Sequence, residues 1–351
     1  MSVLILGGGP AGAAAALTLR GAGVAATVLE SSPFPRYRPG ETLHPGVEPL
    51  LERLGVAGSL LDAGYLRHVG HWVDWAGREE FMRFGEDGAG PWRGFQAPRA
   101  DFDGRLLEAA IERGAAVHLG VAPSAPIAEG GRVLGVQTPA GPVHARFTID
   151  ATGSSRWLSR RLGIAHDSRS PRLVARFGYA TGRGPAPPRL PAIRADAQGF
   201  TWVAEIAPGR FHWTRVTRPA DRPAHDFVPD VLRDATPESA SGADVTWRVA
   251  RRTAGSGWFL AGDAAGALDP SSSHGVLRAL MTGMMAGHLV SRVLVDGAEE
   301  DEGARAYHAW LTAWLEHDMG HLTQAYGAAG LFGYGIASAA PRRAADPLRS
   351  R

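Results

Sequence analysis

The chain has 351 residues and a formal net charge of +2, with 37 basic residues that are all Arg against 35 acidic ones. That balance gives no case for nucleic-acid binding; the lack of Cys excludes disulfides and thiolate metal sites; and the lack of Lys excludes any chemistry on a lysine amine. Hydrophobic residues make up 44%, an ordinary globular composition, and the length suits one large or two intimately joined domains with a sizeable core.

Residues 3–30 read as strand, turn, helix, strand. Val3 to Leu6 is a continuous apolar run, as expected of a parallel strand buried on both faces. A glycine-rich turn, Gly7 to Gly12, precedes a small-residue helix over 13–20, and Ala25 to Leu29 forms the next strand. Residues 31–46 are a Pro-, Arg- and Ser-rich loop, and Val47 to Leu54 is helical up to Gly55. Aromatic-bearing strands are expected over 65–97, an amphipathic helix over 101–114, and strands over 117–121, 133–138 and 147–151. The stretch 172–250 favours strands, with a Pro-rich loop at 184–191. Another buried strand at 258–261 leads into Gly262-Asp263; helices follow from Gly275, and the Pro- and Arg-rich tail 341–351 is expected to fray.

No stretch approaches the roughly 20 apolar residues needed to span a bilayer. The run Val3 to Leu6 is too short for the apolar part of a signal peptide. The expectation is a cytoplasmic protein without a membrane partner.

The first chemical motif is Gly7-x-Gly9-x-x-Gly12. Gly7 permits the tight turn, Gly9 lets the backbone approach a pyrophosphate, and Gly12 allows close helix–strand packing. The helix N-terminus beyond it offers free N–H groups and a positive dipole end. Glu30 ends the second strand 18 residues after Gly12, near the spacing of an acid on the ribose hydroxyls. A bare glycine pattern can be only a turn. Strand, helix and acid together point to a dinucleotide, without deciding between NAD and FAD.

Arg99-Ala-Asp-Phe-Asp-Gly-Arg-Leu106, Asp150-Ala-Thr-Gly153 and Leu260-Ala-Gly-Asp-Ala264 resemble the FAD signatures of the para-hydroxybenzoate-hydroxylase-like flavoproteins. The resemblance spans about residues 1–290 and implies an α/β fold: a Rossmann-like FAD-binding domain interleaved with a β-sheet substrate domain, and a helical C-terminus. The expected division is 1–64, 98–171 and 251–290 for FAD, 65–97 and 172–250 for substrate, and 291–351 for the C-terminal helical segment and tail. It implies that Arg99 contacts the cofactor and Asp263 bonds the ribityl chain; Asp263 could instead cap a helix. The expected cofactor contacts are Gly7, Gly9, Pro10, Ala11, Gly12, Glu30, Arg38, Arg99, Val121, Gly153, Gly262, Asp263, Ser273 and Gly275.

A narrower resemblance rests on two segments. Phe34-Pro-Arg-Tyr-Arg-Pro-Gly-Glu-Thr-Leu43 is similar to a loop of the flavin-dependent halogenases and their relatives. Asp269-Pro-Ser-Ser-Ser-His-Gly-Val-Leu-Arg-Ala-Leu280 is similar to the flavin-proximal segment of a halogenase-like subgroup. That subgroup includes flavoproteins that oxidise a tryptophan of a partner polypeptide on the way to tryptophylquinone cofactors. The chain departs from the halogenases in lacking their catalytic Lys and their tryptophan-isoleucine-proline signature near Trp202. Thr152-Gly153 replaces the Asp-Gly pair of many NAD(P)H-linked hydroxylases, leaving the electron donor as NAD(P)H or a separate flavin reductase.

In a flavin monooxygenase the protein supplies orientation and exclusion of water, and a base near the acceptor ring helps remove a proton. The resemblance places His274 beside the flavin, as that base or as the cap of the helix that follows. It places Glu41 and His44 in the loop over the flavin, as catalytic groups or as loop-ordering ones. The expected reaction is hydroxylation of an aromatic ring, with a peptidyl tryptophan as substrate; the faces around Trp202 and Trp213 are either its docking surface or core, as buried aromatics usually are. The alternatives are a monooxygenase or dehydrogenase acting on a free small metabolite, and a non-oxidative maturation chaperone that binds FAD. No metal is expected: His317 and His321 are four apart on a helix, but no third ligand is evident.

Overall fold

The structure is a computed structural model that describes residues 2–75, 77–184 and 189–334. Part of the expected loop at 184–191 and the whole tail 341–351 lie outside the described residues.

Strand Ser2–Leu6 is the centre of a six-stranded sheet. Its neighbours are Ala25–Glu30 on one side, followed by Ala116–Leu119, and Phe147–Asp150 on the other, followed by Trp258–Leu260. All of these pairs are parallel; only Ala254–Gly255 at the edge runs antiparallel. Val3 to Leu6 are at most 1% exposed, which is why the run carries no polar alternation. Pro10–Gly21 is a helix with Pro at its first turn, where a missing N–H costs nothing.

That helix is built almost wholly of Ala, Gly and Leu because it is sandwiched. The long helix Gly275–Asp296 lies against it, and a Cβ on Gly283 would stand 2.1 Å from the Ala11 carbonyl oxygen. The helix Arg99–Glu112 also packs against Pro10–Gly21.

A seven-stranded sheet takes its strands from residues 70–83 and 174–244. It is antiparallel except where Ala192–Asp196 runs parallel to Gly70–Trp75. A small three-stranded sheet of Thr42–Leu43, Gly94–Gln96 and Leu66–His68 fixes the loop around Glu41 and His44. Glu300–Ala329 is the last helix, and its Tyr307 hydroxyl donates to the Leu260 carbonyl at 2.7 Å. Among the described residues no helix is long and apolar enough to cross a membrane.

The two readings of the face around Trp202 and Trp213, docking surface or core, divide between the two rings. Trp213 is 1% exposed and packs with Ala180, Val203, Phe211, Leu232 and Ala235, so it is core. Its size and apolarity favour interior burial over an open face. Trp202, on the adjacent strand, is half-buried beside His71, with ring centroids 5.9 Å apart.

Candidate active site

The glycine turn is set by backbone contact. Gly7 has φ +100°, and a Cβ there would lie 2.5 Å from the Ala151 oxygen; at Gly12 a Cβ would lie 1.9 Å from the Gly7 oxygen. Gly9 differs. A Cβ there would meet only the tip of Arg36, at 2.5 Å, so this backbone faces a side chain that can move aside.

Around that turn runs a chain of alternating charges. Glu30 Oε2 accepts from the Gly8 N–H at 2.8 Å and from Arg36 Nη1 at 3.1 Å. Arg36 Nη2 reaches Asp103 at 3.4 Å, and Asp103 accepts a two-pronged contact from Arg99 at 2.8 and 2.9 Å. Glu30 thus braces the turn itself. Asp103 is fully buried, and a buried carboxylate needs this pairing. Sequence reasoning missed Arg36 and Asp103 as site residues, although Arg99 and Asp103 stand at the i,i+4 spacing of a helix ion pair.

The remaining expected cofactor contacts border the same cleft region in part. Val121 donates its N–H to the Glu30 carbonyl at 3.0 Å. Gly153 opens a short turn with φ +62°, held by Asp150, which accepts from the Thr152 and Leu158 N–H groups at 2.9 and 2.8 Å. Gly262 has φ +60° and faces Ala11 of the first helix. Asp263 is exposed to solvent yet crowded by protein, as a group on a cleft wall is. That crowding raises its carboxyl above the usual range, against the pull of Arg278 and Arg99. Arg38 is exposed and shares a cavity of about 30 Å³ with Glu41, Arg99, Tyr179 and Arg210.

These features fit FAD. A backbone cradle open at Gly9, paired cations beside it, and an exposed carboxylate at Asp263 supply what a dinucleotide requires.

The three expected catalytic residues divide between two clusters. Glu41 is 2% exposed; it accepts from the Tyr179 hydroxyl at 2.5 Å and the Gly40 N–H at 2.9 Å, and faces His212 Nδ1 at 3.4 Å. Burial holds His212 below the ordinary imidazole range, partly offset by Glu41, and burial with Glu41 beside it raises Tyr179. Glu41 therefore orders its loop from within the protein.

His44 and His274 come together, with ring centroids 5.2 Å apart and planes nearly perpendicular. Phe84 lies against His44, His68 and His71 at 5.7, 5.4 and 5.8 Å, and His71 leads on to Trp202. Burial first, then neighbouring imidazoles, pulls His44 and His68 down to about 4; burial lowers His71 as well. Neutral His44 accepts the Gly46 N–H on Nδ1 at 3.0 Å, so its own proton sits on Nε2.

His274 precedes helix Gly275–Asp296, but its side chain makes no capping bond. Its Nδ1 lies 3.3 Å from Asp318 on the last helix. Ser273 before it is left-handed, φ +52°. The segment is pinned by buried Asp269, which accepts from Trp247 Nε1 at 2.6 Å and the Tyr326 hydroxyl at 2.8 Å.

The His317 and His321 rings lie with centroids 4.3 Å apart, tilted at 48°, and among the described residues no set of three ligands could hold a metal. A separate cavity of about 300 Å³, lined by Arg67, His68, Phe81, Arg93 and Leu190 among others, touches none of the expected FAD contacts.

Fold and site together define a dinucleotide-binding flavoprotein. The FAD binding domain family matches residues 1–179, just over half of the chain, and the protein belongs to it and binds FAD. It is 27% identical over 358 residues to a tryptophan 2-halogenase of Chondromyces crocatus, covering 89% of this chain; the chain spans only 66% of that relative's length. A menaquinone reductase of Mycobacterium tuberculosis is 30% identical over 312 residues, covering 82% of this chain and 76% of the reductase. A 1H-pyrrole-2-carbonyl-[peptidyl-carrier protein] brominase of Pseudoalteromonas luteoviolacea is 26% identical, covering 88% of this chain and 81% of its own. The solved myxobacterial chondrochloren halogenase shares the fold at a TM-score of 0.86 and 22% identity, over 93% of this chain and 83% of that one. The protein is thus an FAD-dependent oxidoreductase related to flavin-dependent halogenases and to menaquinone reductase.

Proposed function

We propose that this protein is an FAD-dependent monooxygenase that hydroxylates an aromatic ring, and that its substrate is a tryptophan of a partner polypeptide maturing toward a quinone cofactor. The observation that carries the reading is the juxtaposition of His274 and His44 at 5.2 Å on a wall of histidines and Phe84. In this reading Gly7, Gly9, Gly12, Arg99 and Asp263 hold the cofactor, and the two sheets correspond to the cofactor and substrate divisions. FAD when bound supplies the reduction of O₂, with two electrons drawn from NAD(P)H or a separate flavin reductase.

One oxygen atom ends on the ring and the other as water. The ring carbon that gains the hydroxyl loses its proton, and His274 Nε2 takes it. His44, with its proton on Nε2, is a neutral donor that orients the substrate. The half-buried rings of Trp202, Phe84 and the histidines limit the access of water to the reacting ring.

Two likenesses support the aromatic and protein-borne character of the substrate. One relative is a halogenase of tryptophan, and another acts on a pyrrole carried by a peptidyl-carrier protein. The absence of Lys from the 351 residues favours hydroxylation over halogenation. A second reading, reduction of a quinone, is favoured by the 30% identity to menaquinone reductase.

The test incubates FAD-loaded protein, a reductant and O₂ with the candidate partner and, separately, with tryptophan, small phenols and a quinone. A gain of one or two oxygens on a partner tryptophan is expected. Turnover of free phenols with the partner untouched would replace the substrate. Quinone-dependent reoxidation without oxygen insertion would replace the reaction. Partner maturation by a variant that cannot retain FAD would establish a chaperone.

A further inference from the structure

We propose that Asp318 is the positioning residue of this site: it accepts the Nδ1 proton of His274 and thereby leaves the Nε2 lone pair as the base. The proposal deepens the hydroxylase reading and rests on it for the identity of the base.

The argument starts from the last helix. Asp318 is 6% exposed on Glu300–Ala329, and its Oδ2 lies 3.3 Å from His274 Nδ1 and 3.5 Å from Nη1 of Arg278. Arg278 is 1% exposed, and Nε of this guanidinium has no hydrogen-bond partner. Burial works against its charge, and Asp263 and Asp318 are the carboxylates that support it. A carboxylate paired with a buried guanidinium is an acceptor only. The proton between Asp318 and His274 therefore belongs to Nδ1, and neutral His274 has its lone pair on Nε2. A bond of 3.3 Å is long, as hydrogen bonds at sites without substrate often are.

The same helix holds the segment a second time. Tyr326, two turns beyond Asp318, donates its hydroxyl to Asp269, five residues before His274. Two contacts from one helix thus fix the start and the end of the segment 269–274. His44 is set the opposite way, because the Gly46 N–H occupies its Nδ1. The two rings therefore present unlike faces: His44 a donor, His274 an acceptor. Pairing with Arg278 alone would not explain why Oδ2 also faces Nδ1 of the one histidine whose side chain leaves its helix cap free.

The experiment reads the tautomer of His274 directly. FAD-loaded protein labelled with ¹⁵N in histidine is examined by NMR, with His274→Gln to assign the signal. The parent and Arg278→Met should show the Nδ1–H form. Asp318→Ala in the Arg278→Met background, which leaves no buried charge unpaired, should change the signal to the Nε2–H form that free imidazole prefers. Retention of Nδ1–H in the double variant would overturn the proposal. If that variant does not fold, Asp318→Asn gives the reading. The strongly downfield Nδ1 proton of a carboxylate-bound imidazole should move upfield, and its persistence would refute the assignment.

Activity separates the two layers. Losing a hydrogen bond to a charged group should lower kcat of Asp318→Asn by about tenfold to a hundredfold, with KM nearly unchanged. A full kcat in that variant would also overturn the positioning role. The tautomer result together with no oxygen insertion in the parent would leave Asp318 in place and refute the hydroxylase reading.

Discussion

Helix Gly275–Asp296 carries His274 at its start and presses on the dinucleotide-binding helix through Gly283, so Gly283→Ala links packing to the cofactor. The added Cβ would sit 2.1 Å from the Ala11 carbonyl oxygen and 2.9 Å from its carbon. A carbon and a carbonyl oxygen approach to about 3.3 Å, so the helices must part by roughly 1 Å. A gap of that size forfeits a quarter to a half of each dispersion contact across it, and overpacking of this kind costs about 1–3 kcal/mol. Backbone rather than a flexible side chain blocks the methyl here, which puts the cost at about 3 kcal/mol. For a chain of this size that lowers Tm by about 4 °C, and the first helix moves away from the phosphates, so FAD affinity falls too. Gly320 is the control. It sits exposed within Glu300–Ala329 with nothing within 4 Å of its Cβ position, so Gly320→Ala should stabilise by about 0.5–1 kcal/mol. Thermal melts by circular dichroism and FAD titration by fluorescence quenching check both. A Gly283→Ala protein that melts at or above the parent temperature would refute the packing argument.

Gly9→Val should give a folded but colourless protein, because the new side chain occupies the backbone approach now bordered by Arg36; normal flavin absorbance would count against the placement of the pyrophosphate. Stability should fall as pH drops from 6.5 to 4. His44 and His68 titrate near 4 in the fold against 6.5 when unfolded, so the unfolded chain binds more protons in that window; the full contribution stands above pH 6.5 and is lost below. The loss is at most about 3 kcal/mol per histidine, and denaturation midpoints that do not change between pH 7.5 and 5 would contradict it. With chloride or bromide, reductant and O₂, mass spectrometry should find no enzyme-dependent halogenated indole; a brominated product would show that this lysine-free chain halogenates by another route.

The cofactor end of the site was legible in sequence because it is made of backbone. Gly7 and Gly12 are glycine for steric reasons local to one turn, and Val3 to Leu6 announce a strand buried on both sides. The reaction end was legible only in part. His274 and His44 were named, but their meeting joins elements 230 residues apart, and no spacing predicts that. Asp318 stood beside His317, which drew notice only as half of a histidine pair. Glu41 was read as a catalytic or a loop-ordering group; its partners Tyr179 and His212, which favour the second, come from the distant sheet and no spacing predicts them. Trp213 stayed open between docking face and core because a large aromatic on a strand has the same sequence signature whether its face is covered or open.

The direction of proton flow is what divides the two reactions this site can be asked to perform. Hydroxylation ends with a proton leaving the ring, so it needs an acceptor that is neutral at the moment of oxygen transfer. Quinone reduction ends with protons arriving on two oxygens, so it needs donors that are reloaded each turn. The wall around Phe84 is suited to the first. Burial, joined at His44 and His68 by repulsion from neighbouring cations, keeps His44, His68 and His71 from holding a second proton near neutral pH, so they form no reservoir of charge. Beside that wall His274 has a carboxylate at Nδ1, and a carboxylate there stabilises the imidazolium formed when Nε2 takes a proton. A site with one supported acceptor among neighbours that stay neutral near pH 7 removes protons more readily than it delivers them. The half-buried Trp202 beside His71 closes the same wall on its far side, where an indole of a partner chain would meet rings and not water.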